Sequence, residues 1–218
     1  MMVYYDVLLF LPLYMTIEYF TKNTYYSRLF FTTLVSGYSI DEIINKQYYT
    51  LEALNNIEEY NLVAEKCILI CTLYFSYDLF NKEIYNSNSF LIHHSLCLIG
   101  ANIVLYYKFY GILSLYLCCH EISTIFLNLK NLNICKDFSD KMFIVTFLGI
   151  RCTTIPFIVI KTYLKSKILF IAMLVDGGLH IFWITQKINN IRKKKVKNSY
   201  IKDEINKLNI IEYGVKID

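Results

Sequence analysis

The chain is poor in everything that breaks a helix or makes a soluble surface. Two prolines and seven glycines interrupt 218 residues, and charged side chains make up only 18% of them. So little turn-forming material excludes a loop-rich fold, and so little charge excludes an ordinary soluble domain. A closed transmembrane barrel would show short alternating strands, which are not found. Histidine is scarce too, with four residues and no HxxxH or HxxHH spacing, so the many-histidine cage of a membrane di-iron hydroxylase is excluded. No N-x-S/T sequon occurs, and the seven cysteines show neither CxxC nor zinc-ribbon spacing. Odd in number and set in apolar runs, they read as small buried hydrophobes and not as a disulfide framework.

What is present is apolar. Hydrophobic residues make up 56% of the chain, and the mean hydropathy is +0.38. Abundant Tyr, Phe, Ile, Asn and Lys reflect coding bias more than function, although tyrosines near span ends suit the membrane interface. Runs long enough to cross, or nearly cross, about 30 Å of hydrocarbon fall at roughly 2–20, 26–40, 61–80, 89–107, 111–134, 142–163 and 167–188. The expected fold is therefore all-α, a polytopic membrane protein with about seven helices, since a bilayer admits only helices or closed barrels. The second run, RLFFTTLVSGYSI, is short and holds Gly37. The first has no basic n-region and no small-residue cleavage site, so it reads as a retained helix.

Three segments are expected: an N-terminal transmembrane helix at 1–24, a six-helix domain at 25–190 and a basic tail at 191–218. RKKKVK, Arg192 to Lys197, places that tail in the cytosol by the positive-inside rule. The tail reads as a solvated flank with a secondary attraction to anionic headgroups. Seven crossings then put the N-terminus outside, together with the acidic loop that carries Asp41, Glu42, Glu52, Glu58 and Glu59. Lys161, Lys165 and Lys167 oppose this orientation.

Against that apolar background the polar residues stand out, because an ionisable side chain at the centre of an inserted helix costs roughly 2.5 to 3.5 kcal/mol. Asp78 closes LYFSYDLF, His93 and His94 open the fourth span, and His120 and Glu121 sit within the fifth. Glu121, Thr124 and Asn128 recur at i, i+3 and i+7 and share one helical face, flanked by His120 and Ser123. Arg151 lies in FLGIRCTTIPF with Pro156 beyond, and Asp176 and His180 are spaced i, i+4 ahead of Trp183. Arg151 requires a carboxylate or several carbonyls, with Glu121 the first choice and Asp78 the second. Asp78, one of the two histidines, Glu121 and Arg151 are expected to share one interior chamber. Neighbouring helical residues diverge by about 100°, so His93 and His94 cannot share one partner, which suits a division of labour in proton transfer. The site is read without a metal. One zinc held by His93 or His94, His120 and a carboxylate, serving a lipid amidase or hydrolase, is the remaining metal alternative.

The order of these residues resembles the TLC family, named for the TRAM, Lag1 and CLN8 proteins, over about Leu62 to Lys187. It is carried by Tyr74 to Asp78, by the His93 and His94 pair, by E-x-S-T-x-F-x-N as Glu121, Ser123, Thr124, Phe126 and Asn128, and by Phe147 to Arg151 with Pro156. The E-x-S-T form is nearest the small TLC-domain proteins of the TMEM56 type and more distant from ceramide synthases. The resemblance implies a six-helix barrel of two inverted halves with one preceding helix. It also implies an endoplasmic reticulum location, membrane lipids and fatty acyl chains as partners, and no nucleic acid; the oligomeric state stays open. For ceramide synthases it implies a histidine pair and two aspartates lining a tunnel where an acyl chain passes from acyl-CoA to a sphingoid amine. Here those aspartates become Glu121 and Thr124, and His180 stands where the small branch commonly has Asn. Two expectations follow. One is an acyl-CoA-dependent N-acyltransferase with no bound cofactor, in which His93, His94 and Glu121 are catalytic and Asp78, His120, Ser123, Thr124, Asn128, Arg151, Asp176 and His180 bind lipid or support. The alternative is a non-catalytic lipid binder that regulates phospholipid or sphingolipid composition.

Overall fold

Every regular element among the described residues is a helix. The computed structural model describes residues 3–50, 56, 59–81, 87–163 and 166–214, of which 3–8, 194–195, 197–199 and 202–214 are described in backbone alone. Glu52, Glu58, Lys165 and the side chains of the C-terminal EYGVKID lie outside that description. Seven helical rods follow one another: α1 (Val3–Thr21), α2 (Thr24–Asn45), α3 (Leu62–Asp78), α4 (Asn88–Tyr107), α5 (Gly111–Asn131), α6 (Lys136–Tyr163) and α7 (Lys167–Gly214). They match the seven apolar runs of the sequence. The protein is thus an all-α, polytopic integral membrane protein. By length and composition α4, α5, α6 and the Lys167–Lys193 part of α7 can each cross a bilayer. At 17 residues α3 is shorter than the roughly 20 that a perpendicular span needs.

Local chemistry sets the rod ends. Asn23 caps α2 by accepting from the Tyr25 amide at 2.9 Å, and Asn61 caps α3 by accepting from Ala64 at 2.7 Å. The sixth rod starts at Lys136, earlier than its apolar run, because Asp137 in the first turn suits the positive end of the helix dipole. The seventh does not stop after Gln186 but runs on through the basic segment, where no glycine or proline intervenes before Gly214. Between α4 and α5 the chain reverses through Lys108 and Tyr110, both left-handed. Gly111 then passes so close to α3 that a Cβ there would lie 2.6 Å from the Glu59 carbonyl oxygen. The Ile112 amide donates to that carbonyl at 3.1 Å.

Two compact units divide the chain at residues 1–177 and 178–218. In the first, α2 packs on α1, α3 and both halves of α5; α3 packs on α4, and the second half of α5 packs on the start of α6. Its main core gathers Phe10 and Tyr14 of α1, Phe31 and Val35 of α2, Ala64, Cys67, Ile70, Tyr74 and Phe75 of α3, and Ile112 and Leu115 of α5. Phe31 and Tyr74 stack with centroids 3.6 Å apart. Lipid tails are as apolar as leucine, so close packing of this kind, and not exclusion of water, holds such rods together. Outward-facing Leu9, Phe20, Ile99, Ile160 and Ile171 form an apolar exterior suited to hydrocarbon. The second unit, 178–218, is the continuation of α7, in which the His180 and Trp183 rings lie 5.5 Å apart.

Candidate functional site

The two adjacent imidazoles go to different carboxylates. His93 Nδ1 lies 2.6 Å from Asp176 Oδ1. His94 Nδ1 faces Asp78 Oδ2 at 3.6 Å, beyond hydrogen-bond reach. The rings themselves are 5.6 Å apart and meet edge to face, with Phe75 against both. This is the divergence that helical geometry imposes on neighbouring residues.

Around His94 the arrangement is a buried ion pair. Asp78, 1% exposed, takes both Arg28 Nη2 at 2.9 Å and Arg28 Nε at 3.1 Å on its Oδ1 oxygen. Tyr74 and Tyr14 are within electrostatic reach of both charges. Sequence reasoning missed Arg28. Arg28 falls inside the run at 26–40 but was given no role there, whereas α2, starting at Thr24, buries it against Asp78. The usable signal was Asp78 itself, a buried acid that had to have a cation.

Around His93 the arrangement differs. Cys97, one turn along α4, places its sulfur 3.8 Å from His93 Nε2 and 3.9 Å from Nδ1. The Glu121 carboxylate acts electrostatically on Cys97, and also on Cys71 and Tyr74 of α3. Glu121 is 9% exposed and makes no hydrogen bond or ion pair with the described residues. The cysteines are not uniformly buried hydrophobes as the sequence suggested. Cys135 and Cys152 are exposed and Cys97 is half-buried, because Cys135 sits in the turn after α5, whereas Cys97 packs against the edge of the main core.

Arg151 defines a third polar cluster, and its expected pairing with Glu121 or Asp78 is corrected by the structure. Its Nε donates to Ser123 Oγ at 3.0 Å, and its Nη2 donates to the His120 carbonyl at 3.1 Å and Thr124 Oγ1 at 3.3 Å. The cause is a break in α5 at His120. The Ser123 hydroxyl donates to the carbonyl freed there, at 2.8 Å, and Arg151 caps it from the side. A π-helical turn at Phe147–Arg151 widens α6, and the guanidinium lies over the Phe147 ring, 5.1 Å from its centroid. Asp78 was already committed to Arg28. The ligand set of the zinc alternative is not brought together as expected, because His120 is directed elsewhere. His120 Nε2 instead meets Thr154 Oγ1 of α6 at 2.5 Å.

Of the expected site residues in the first unit, His93 and Asp176 are thus hydrogen-bonded, and His94 faces Asp78 without a hydrogen bond. Ser123, Thr124 and the His120 backbone gather on Arg151, and Glu121 is buried on the same rod. Asn128 is buried on the same rod as that last group. His180 belongs to the second unit. Chemically the first unit therefore offers an imidazole paired with a carboxylate next to a closed Arg–Asp pair.

Comparison with protein-family models matches one description, TLC domain (TRAM_LAG1_CLN8), over residues 20–188. Comparison with curated proteins and with solved structures gives no match.

Proposed function

The chain belongs to the TLC domain family, a membrane protein of lipid metabolism, and on that premise we propose that it transfers a fatty acyl group from acyl-CoA to an amine. The nearest relatives proposed are the small TMEM56-type members, the compartment the endoplasmic reticulum membrane. One observation carries the reading: a histidine of the pair is held by a carboxylate, His93 on Asp176, inside a largely apolar bundle. A carboxylate on Nδ1 fixes the imidazole with its proton on that nitrogen and leaves Nε2 basic, which general-base catalysis requires.

The chemistry of the proposed step is short. The acceptor arrives as an ammonium, Glu121 binds it and takes its extra proton, and an imidazole removes the second proton as the amine attacks the thioester carbonyl. The apolar surroundings keep water from the thioester. His94, Asp78 and Arg28 anchor α4 against α3 and α2. Serving as a receptor for an acyl chain and headgroup, without chemistry, is the second reading. Thr124 favours it, because that side chain stands where the second of two carboxylates would be expected and is engaged by Arg151. Lipidomics of cells with and without the gene, repeated with His93→Asn and His94→Asn together, separates the two. Acyl transfer requires the double variant to match the deletion while accumulating normally in membranes. A lipid profile unchanged by the variant at normal abundance would falsify it and leave the binder.

A further inference from the structure

Two thiols from different rods meet in the main core, and neither reading of the histidine site uses them. Cys71 of α3 and Cys118 of α5 bring their sulfurs to 3.7 Å, although they stand 47 positions apart in the chain. Both are buried, 8% and 6% exposed, among apolar side chains. Among the described residues this is the one sulfur–sulfur contact. Cys67, one turn back along α3, instead meets the Ser39 hydroxyl of α2 at 3.7 Å. A disulfide sets its sulfurs about 2 Å apart and tolerates a narrow range of geometry, so few cysteine pairs in a fold are placed to form one. Here the sulfurs need to approach by roughly 1.7 Å, within reach of side-chain rotation. No rod has to move far, because α3 and the first half of α5 already pack together. The seam also borders the histidine pair. Phe75, one turn beyond Cys71, rests against both imidazole rings, and the break at His120 lies two residues beyond Cys118.

We infer that Cys71 and Cys118 form a redox modification site, where lipid peroxyl radicals oxidise the two thiols to a disulfide that ties α3 to α5. This does not depend on acyl transfer. The surroundings select the chemistry. A thiolate among apolar side chains is costly, which disfavours the ionic route through a sulfenic acid. A hydrogen atom carries no charge and leaves a buried thiol without that cost. Peroxyl radicals arise on unsaturated acyl chains, in the same hydrocarbon that the apolar exterior of the bundle faces. One radical takes the hydrogen atom of one thiol: the S–H bond breaks, an O–H bond forms, and a lipid hydroperoxide and a thiyl radical result. A second radical removes the neighbouring thiol's hydrogen atom, and the two unpaired sulfur electrons join as one S–S bond. Two thiols are oxidised and two peroxyl radicals are reduced to hydroperoxides. No ion has to cross the bundle.

The test uses the full chain, reduced, in nanodiscs of linoleoyl phosphatidylcholine, with peroxidation started by a lipid-soluble azo initiator. Mass spectrometry should show the loss of two hydrogens and a linked pair of peptides holding Cys71 and Cys118, which a reducing agent separates. Oxidised chains should migrate faster in a non-reducing gel and unfold at a higher midpoint, since the bridge closes a loop between positions 47 apart. Cys71→Ala and Cys118→Ala should each lose the bridge, whereas Cys67→Ala and His93→Asn should keep it. The wild-type peptide map decides the pairing even where a variant folds poorly. Hydrogen peroxide added from the water side is the comparison. A bridge formed with peroxide and not with the initiator would overturn the lipid radical as oxidant. Linkage of either cysteine to a different thiol would overturn the pair. Both thiols unchanged while lipid hydroperoxides accumulate in the same nanodiscs would overturn the site.

Discussion

His93 and His94 are one residue apart and live in opposite electrostatic settings. His94 faces Asp78, whose charge is already answered by Arg28, so every formal charge around it has a partner close by. His93 is hydrogen-bonded to Asp176 and has the Cys97 thiol against its ring. The lesson is about what a buried charge is for. A closed pair such as Arg28–Asp78 contributes fixed packing, whereas an imidazole oriented by one carboxylate retains a proton it can move.

The largest effect should come from opening the closed pair. Arg28→Met leaves Asp78 charged, 1% exposed and without its guanidinium. Breaking a buried pair from one side costs about 3 to 5 kcal/mol, read as a lower midpoint in detergent unfolding. Arg28→Met combined with Asp78→Leu should recover most of it, because an apolar replacement of both partners is close to neutral. An unchanged midpoint in the single variant would mean that the two histidine settings do not differ as described.

The next effect separates the histidines. His93→Asn removes the oriented base and should lower acyl transfer by about 100-fold or more, roughly 2.7 kcal/mol of barrier, with little change in unfolding. His94→Asn should lower transfer by less than about tenfold. Product formation measured across acyl-CoA donors decides it. If His94→Asn is the more damaging, the roles of the two side chains are reversed.

How much of this was readable in advance follows from what each residue depends on. The seven rods were legible because long apolar runs and the scarcity of proline and glycine act locally. The polar stripe of Glu121, Thr124 and Asn128 was legible for the same reason, through helical spacing alone. Partners across helices were not. Whether Arg151 meets an acid or a carbonyl depends on the break at His120 and the π-helical turn at Phe147–Arg151, and nothing in FLGIRCTTIPF announces a π turn. Arg28 was hidden because a lone arginine near the head of a short run does not show which acid it will meet. Side-chain partners that come from different rods are a property of the assembled bundle.

The smallest expected effect tests the cluster farthest from the histidines. Thr124 Oγ1 accepts from Arg151 Nη2 at 3.3 Å, so Thr124→Asp would bring a carboxylate to a guanidinium now held by Ser123 Oγ and the His120 carbonyl. Coulomb attraction favours that pair, and removing the carboxylate from water opposes it. In buried sites the two roughly cancel. The unfolding midpoint should therefore shift by no more than about 1 kcal/mol in either direction. The variant also addresses function. If Thr124 is what confines the protein to binding lipid, Thr124→Asp should raise amide formation; if His93 already carries the chemistry, the rate should stay within about twofold. A loss of several kcal/mol on introducing the acid would show that Arg151 cannot turn toward position 124, which would make the break at His120, and not the charge, the reason the guanidinium lies where it does.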